Sequence, residues 1–269
     1  MSQDLSKDSL SPLLQTRFIG RHYVFEEEVE STNLLLQEFA QKGAPEGLVV
    51  AADAQTGGRG RDGRSWASPS GCNLYFSVLL RPNCAAAKAS QLSIIAACAM
   101  HRALSPYCER IRVKWPNDVW LDNRKLAGIL CSMSCMGMQA EYAIVGIGLN
   151  VNIMDFPDNI VGTSLALACG QTFNRARILA DILAAFETEY DEWQKHADLS
   201  TWIPRWKQMS ILEGREVTVV QHESKTTGTV DGITPEGYLR LIENGIVHNI
   251  SVGDAHLLKN GFANDAFKA

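Results

Sequence analysis

Gly57-Gly58-Arg59-Gly60-Arg61-Asp62-Gly63-Arg64-Ser65-Trp66 sets three arginines on a backbone loosened by four glycines. Arginine carries a permanent planar charge whose donors fit carboxylate and phosphate. Glycine lets a loop bend freely and lets its backbone approach a ligand closely. Such a run packs poorly into a core, so it reads as a loop that closes over an anion, with Trp66 free to stack on a flat ring. From Gly58 to Gly63 it also satisfies G-x-G-x-x-G. A dinucleotide fingerprint needs a helix straight after the glycines and an acid ~20 residues on. Here Arg64 to Gly71 reads as loop, and no acid stands near position 84. The Rossmann reading is rejected. No GxxxxGK[ST] occurs either, which removes the P-loop. The bland alternative is a solvated, arginine-rich surface loop.

Outward from this loop the chain alternates between strands and helices. Leu48 to Ala54 reads as a buried strand running into it, and Asn73 to Leu80 as a strand with Leu74, Phe76, Val78 and Leu80 on one face. Val29 to Gly43 reads as a helix capped at Ser31 or Thr32 and stopped by Gly43. Lys88 to Leu104 repeats apolar residues at helical spacing. Ile111 to Trp115 is a short strand halted by Pro116. Leu126 to Ser134 and Ala140 to Asn150 pair around a Gly137 turn. Arg175 to Trp193 is an amphipathic helix whose stripe is Leu179, Ile182, Leu183, Phe186, Tyr190 and Trp193. Beyond Trp206 the texture changes to short β-rich runs broken by glycines, which suits a small barrel with its boundary near Ile211 to Gly214. The expected division is a mobile tail over 1–20, a catalytic domain over 21–210 and a barrel over 211–269.

Composition narrows the class. The chain has 269 residues, 46% hydrophobic and 20% charged, with net charge −5. That is an ordinary globular balance, and it disfavours broad nucleic-acid binding through a basic surface. The first residues lack an apolar signal core, and the densest apolar run, Leu92 to Met100, is too short to span a bilayer. Seven cysteines are scattered without CxxC, as expected of reduced thiols in a cytoplasmic protein.

Two further motifs stand in strand-end positions. Lys114-Trp115-Pro116-Asn117-Asp118 places an amide and a carboxylate at a proline turn. Lys125 opens Lys125-Leu126-Ala127-Gly128-Ile129-Leu130, at the mouth of a buried strand. It is either a rim residue that snorkels to water or a ligand for a carboxylate or phosphate. Gly146-Ile147-Gly148-Leu149-Asn150 ends another strand, and its glycines mark a bulge or a close approach to a ligand.

Together with Ser31-Thr32-Asn33 and Gln55-Thr56, these motifs resemble, in order and spacing, the biotin protein ligases over roughly residues 25–155. Gly228 to Ile233 and Glu236 to Leu239 resemble the SH3-like barrel those ligases carry. The resemblance implies an α+β fold: a domain related to class II aminoacyl-tRNA synthetases, with a mixed sheet flanked by helices, then the barrel. It implies a ligase that forms a C–N bond. Biotin and ATP with Mg2+ would give biotinyl-5′-AMP, and a lysine of a biotin carboxyl carrier domain, as in acetyl-CoA carboxylase, would take the biotinyl group. Ser31, Thr32, Asn33, Gln55, Gly58, Arg59, Gly60, Arg61, Lys125, Gly128 and Gly146 would line the biotin site. Arg61, Arg64, Trp66, Asn117, Lys125 and Asn150 would serve the adenylate, with Trp66 over the adenine. Arg59, Arg61, Lys125 and Asp118 would carry the catalysis, Asp118 by orienting the acceptor amine. No metal ligands are assigned, and no tightly bound prosthetic group is expected.

Some members carry an N-terminal DNA-binding module and act as repressors. About 20 residues precede the catalytic segment, too few for that module, so no DNA partner is expected; no membrane partner is expected either, and a homodimer is left open. Asp62 departs from the basic residue some members have there; it lowers the loop's positive charge, which would shift adenylate affinity without removing the activity, and why it stands there is not explained by sequence. The rival readings are a lipoate or octanoyl ligase or transferase of related fold, and a non-catalytic biotin-binding regulator.

Overall fold

A computed structural model describes residues 3–221 and 224–257. The expected last stretch of the barrel domain, 258–269, lies outside the described residues. Seven strands form the larger sheet: β1 (Tyr23–Val29), β2 (Val49–Gln55), β3 (Leu74–Leu80), β4 (Ile111–Lys114), β5 (Asp118–Leu121), β6 (Arg124–Met136) and β7 (Gln139–Leu149), in the order β1-β2-β3-β7-β6-β5-β4. β1 and β2 run parallel and the remaining pairs antiparallel, so the sheet is mixed, as expected.

The helices are α1 (Lys7–Leu10), α2 (Thr32–Gln41), α3 (Ala89–Leu104), α4 (Leu165–Cys169), α5 (Arg175–His196) and α6 (Ile203–Met209). Successive strand residues point to opposite faces, and both faces of the central strands are apolar. Val50, Leu79 and Ile144 pack under Leu36 and Ala40 of α2. Val49, Val78 and Val145 face the other way, into the core shared with α3 and α5. All of β3 is therefore buried, including Tyr75, Ser77 and Leu79, where alternation alone suggested a single covered face. The six-residue stripe of α5 is buried, and Asn174 caps the helix by accepting from the Arg177 amide.

Two strands differ from the sequence reading. Val29 ends β1 instead of opening a helix, and Asp118, read as part of a proline turn, opens β5. β1 lies at the sheet edge and exposes Glu26, Glu27 and Glu28. Charges at an edge oppose pairing with another chain and hide the strand from an apolar-pattern search.

The N-terminal segment corrects the expectation of a mobile tail. Leu5 and Leu10 are fully buried, and the Tyr23 hydroxyl donates to the Leu5 carbonyl at 2.8 Å. Asp4 pairs at 2.6 Å with Arg175, which also pairs at 2.8 Å with Asp53 on β2. The Glu187 carboxylate accepts the amides of Arg17, Phe18 and Ile19 at 2.7–2.9 Å. The polar residues of this segment thus find partners that only the folded chain supplies.

The second sheet holds β8 (Glu216–Gln221), β9 (Ser224–Ile233), β10 (Leu239–Glu243), β11 (Ile246–Ile250) and β12 (Asp254–Leu257), all antiparallel, in the order β11-β10-β9-β8-β12. It is the expected SH3-like unit. It docks on the first sheet: the Trp115 indole donates to the Gly237 carbonyl at 3.0 Å, and the Ile211 amide to the Val113 carbonyl at 2.9 Å. No helix among the described residues is long and apolar enough to cross a membrane.

Leu10→Ala should cost about 2–5 kcal/mol in chemical denaturation, the range for a buried leucine. A tail that did not belong to the fold would show no change.

Candidate active site

A cleft of about 540 Å³ opens where the arginine-rich loop crosses the face of β6 and β7. Gly128 and Gly148 lie on adjacent positions of these strands, and Trp66 rests on both. A Cβ at Gly148 would stand 2.4 Å from the Trp66 Nε1, and one at Gly128 would stand 3.2 Å from its ring. A Cβ at Gly146 would fall 2.0 Å from the Asn33 Oδ1. These three positions tolerate no side chain without movement. The ladders run regularly through Gly146 and Gly148, so no bulge forms there, and what comes close is the chain's own Asn33 and Trp66. Trp66 lies along the sheet here, with the Lys125 ammonium 5.5 Å from its ring centre. Its indole N–H is buried and has no hydrogen-bond partner among the described residues.

One set of polar groups is held tightly. The Gln55 Oε1 accepts from the Thr32 amide at 2.9 Å, and its Nε2 donates to the Ser68 hydroxyl at 3.0 Å. The Ser77 hydroxyl lies 2.8 Å from the Thr32 Oγ1 and 2.5 Å from the Asn33 Oδ1, while the Asn33 Nδ2 donates to the Leu130 carbonyl at 3.3 Å. Ser31 and Thr32 are buried at the start of α2. These fixed hydroxyls and amides offer both donors and acceptors to a small polar ring.

A second set carries charge. Arg61 donates to the Asn117 Oδ1 at 3.1 Å, and the Asn117 Nδ2 donates to the Ile129 carbonyl at 2.7 Å. Lys125 pairs with Asp118 at 2.8 Å. Lys125 faces the cleft, one-third exposed. Arg64 is more exposed and reaches Asp254 of β12. The Asn150 side chain donates to the Thr163 carbonyl at 3.1 Å and anchors the cleft wall. Gly60 lines the cleft, whereas Gly58 is buried behind it, where a Cβ would meet the Trp66 carbonyl at 2.4 Å. Arg59 stands at the rim with its guanidinium turned outward onto Glu30, 3.2 Å away on the surface. Asp62 occupies the left-handed region (φ 56°, ψ 33°) beside Gly63. Aspartate tolerates this conformation better than most residues, which gives it a conformational reason.

Sequence reasoning missed two charged groups. Lys114, quoted only as part of its motif, lines the cleft with its ammonium 4.2 Å from the centre of the Trp120 ring. Burial lowers its pKa, and the Lys125 charge adds to this, against the opposing pull of Asp118. Asp254 comes from the second sheet, 190 positions from Arg64, and no local pattern could announce it. Burial pushes its carboxyl up, but the Arg64 hydrogen bond and the charges of Arg64 and Arg61 hold it below the usual range.

The lowered pKa of Lys114 has a definite consequence for stability. Below its folded pKa, the buried charge destabilises the native state. As pH rises through that value the native state sheds the proton first, so stability increases until the unfolded lysine also titrates, near ~10.4. Denaturant titrations from pH 8 to 10.5 should show this gain in the unliganded wild type and a smaller gain in Lys114→Met.

Residues 25–150 match the Biotin/lipoate A/B protein ligase family. A Bacillus subtilis relative, "Bifunctional ligase/repressor BirA", is 33% identical over 258 residues, covering 94% of this chain and 79% of its own length. A Paracoccus denitrificans relative, "Biotin--[acetyl-CoA-carboxylase] ligase", is 32% identical over 201 residues, covering 71% and 82%. The solved "Biotin protein ligase from Aquifex aeolicus in complex with biotin and ATP" superposes with a TM-score of 0.77 at 29% identity, covering 88% of this chain and 99% of that one. Likeness of this extent in both sequence and fold places the chain: it belongs to the biotin protein ligase family.

Proposed function

We propose that this chain is an ATP-dependent biotin protein ligase. It activates biotin as biotinyl-5′-AMP and passes the biotinyl group to a lysine of a carboxyl carrier domain. The observation that carries this reading is a single cleft holding both a fixed hydroxyl–amide cluster (Thr32, Asn33, Gln55) and a cation cluster (Arg61, Arg64, Lys114, Lys125). The first suits a ureido ring. The second suits a carboxylate brought against a triphosphate.

In the first step a biotin carboxylate oxygen attacks the α-phosphorus. A P–O bond forms there, and the bond to the β-phosphate breaks to release pyrophosphate. Two anions must meet, so the cations of the cleft, fixed before reaction, supply the main stabilisation. The glycine-rich loop, laid over the cleft, keeps water from the adenylate and must open for the carrier. Mg2+ bound with ATP would supply charge neutralisation on the departing phosphates. No group of three or more His, Cys, Asp or Glu is placed to hold a metal among the described residues.

In the second step the acceptor amine attacks the biotinyl carbonyl carbon, and the C–O bond to AMP breaks. Freeing a lysine amine of its proton at pH 7 costs about 4.6 kcal/mol, from a reference pKa of ~10.4. A carboxylate with a pKa of ~3.9 is too weak a base to keep that proton. Asp118, beside Lys125, therefore orients the amine, and the proton leaves late, to solvent.

On this reading residues 21–210 bind both substrates, and the segment from 211 closes one side of the cleft. A cytoplasmic location is supported by seven cysteines that are all free thiols. The net charge of −5 supports no DNA partner. Sedimentation at micromolar concentration would decide between monomer and homodimer.

Three measurements test the reading. Exchange of labelled pyrophosphate into ATP should require biotin, and labelled biotin, not lipoate, should enter a carrier domain. Arg61→Ala should slow that exchange by about 10²–10³-fold, the usual effect of removing a fixed donor from developing charge. Asp118→Asn should slow transfer from preformed adenylate by at least tenfold. Transfer at the wild-type rate would remove Asp118 from this role.

A further inference from the structure

Asp254 reaches the cleft from the second sheet, and the backbone before it fixes where it sits. Gly253 has φ +140°, and a Cβ there would stand 2.7 Å from the Val219 Cγ1 and 2.8 Å from the Val220 carbonyl oxygen. The chain is thus pressed onto β8 just before β12 begins, and Asp254 pairs in register with Val220. Its Oδ1 lies 3.4 Å from the Arg61 Nη1, and its Oδ2 contacts the Arg64 Nη2. The Gly253 carbonyl accepts from the Arg61 Nη2 at 3.5 Å. Both loop guanidiniums that face the cleft are therefore tied to one carboxylate of the other sheet.

A carboxylate gripped by two guanidiniums presents the charge and oxygen spacing of a phosphate edge. A phosphate arriving at Arg61 and Arg64 would meet that carboxylate as a like charge. We infer that Asp254 is a positioning residue, a resident anion that holds Arg61 and Arg64 in place in the unliganded protein and is exchanged for a phosphate group of the substrate. The second sheet then serves as a latch on the loop: the same exchange that seats the phosphate frees the loop from β12. This rests on the proposed function for the identity of the phosphate ligand, but not for the latch itself.

The test uses the full chain and inorganic pyrophosphate as the probe, followed by isothermal titration. Asp254→Asn and Asp254→Ser remove the charge at a partly exposed position on an edge strand, and thermal unfolding checks that each is folded. Each should bind pyrophosphate about three- to fivefold more tightly than wild type, the upper end of the scale for a partly exposed ion pair. Asp254→Glu, which restores the charge, should stay within about twofold. Without ligand, trypsin should cut after Arg61 and Arg64 several times faster in the Asn and Ser variants. Unchanged pyrophosphate affinity would overturn the latch. Weaker binding would overturn it too, since Asp254 would then help to build the anion site instead of competing for it. If the wild type lacks biotin-dependent pyrophosphate exchange, the proposed function fails while this titration still decides the latch.

Discussion

The close approach of two elements to the bare face of β6 and β7 is the constraint on which the site depends. Asn33 comes against Gly146 and Trp66 against Gly148 at distances that leave no room for a Cβ, and Trp66 crowds Gly128 to 3.2 Å of where one would stand. The central strands are covered elsewhere, by α2 on one side and by α3 and α5 on the other. A strip without side chains inside a packed sheet makes a recess, and the loop from Gly57 to Trp66 is laid into it. The cleft therefore follows from three missing side chains as much as from the residues that line it.

Electrostatics fills that recess. Arg61, Arg64, Lys114 and Lys125 converge on it, and Asp118 and Asp254 are the carboxylates among its lining residues. Each acid holds a cation in place, Asp118 through Lys125 and Asp254 through the two arginines. A chain with net charge −5 thus concentrates positive charge at one point, and only a negative ligand relieves the excess. On the proposed function, the cations that would bind a phosphate would also lower charge repulsion along the reaction, so binding and chemistry would share one set of groups.

Much of this was legible along the chain because the informative residues are close in sequence. The glycine–arginine loop, the proline turn at Trp115 to Asp118, and Lys125 at its strand mouth each announce themselves within ten residues. Strands β2, β3, β6 and β7 and helices α3 and α5 were legible because their apolar periods are long and regular. β1 was not, because its exposed edge carries glutamates where alternation would need apolar residues. β5 was not, because a strand of four residues just past a proline turn is too short to show a period. The buried N-terminal segment was hidden for a similar reason: Asp4, Arg17 and their neighbours look solvated until Arg175 and Glu187 arrive from α5.

Sequence by itself determined the chemistry on offer: which cations, amides and glycines exist, and in what order they come. Local periodicity and turn residues act over a few positions, so order and type survive without the fold. Only the tertiary structure decided what those groups do. It turned Arg59 outward to Glu30 while keeping Arg61 in the cleft. It depressed the basicity of Lys114 by burying it, explained Asp62 by a left-handed turn, and brought Asp254 from another sheet to the two arginines. Burial and pairing depend on distance in space, and residues 190 positions apart become neighbours only once the two sheets dock.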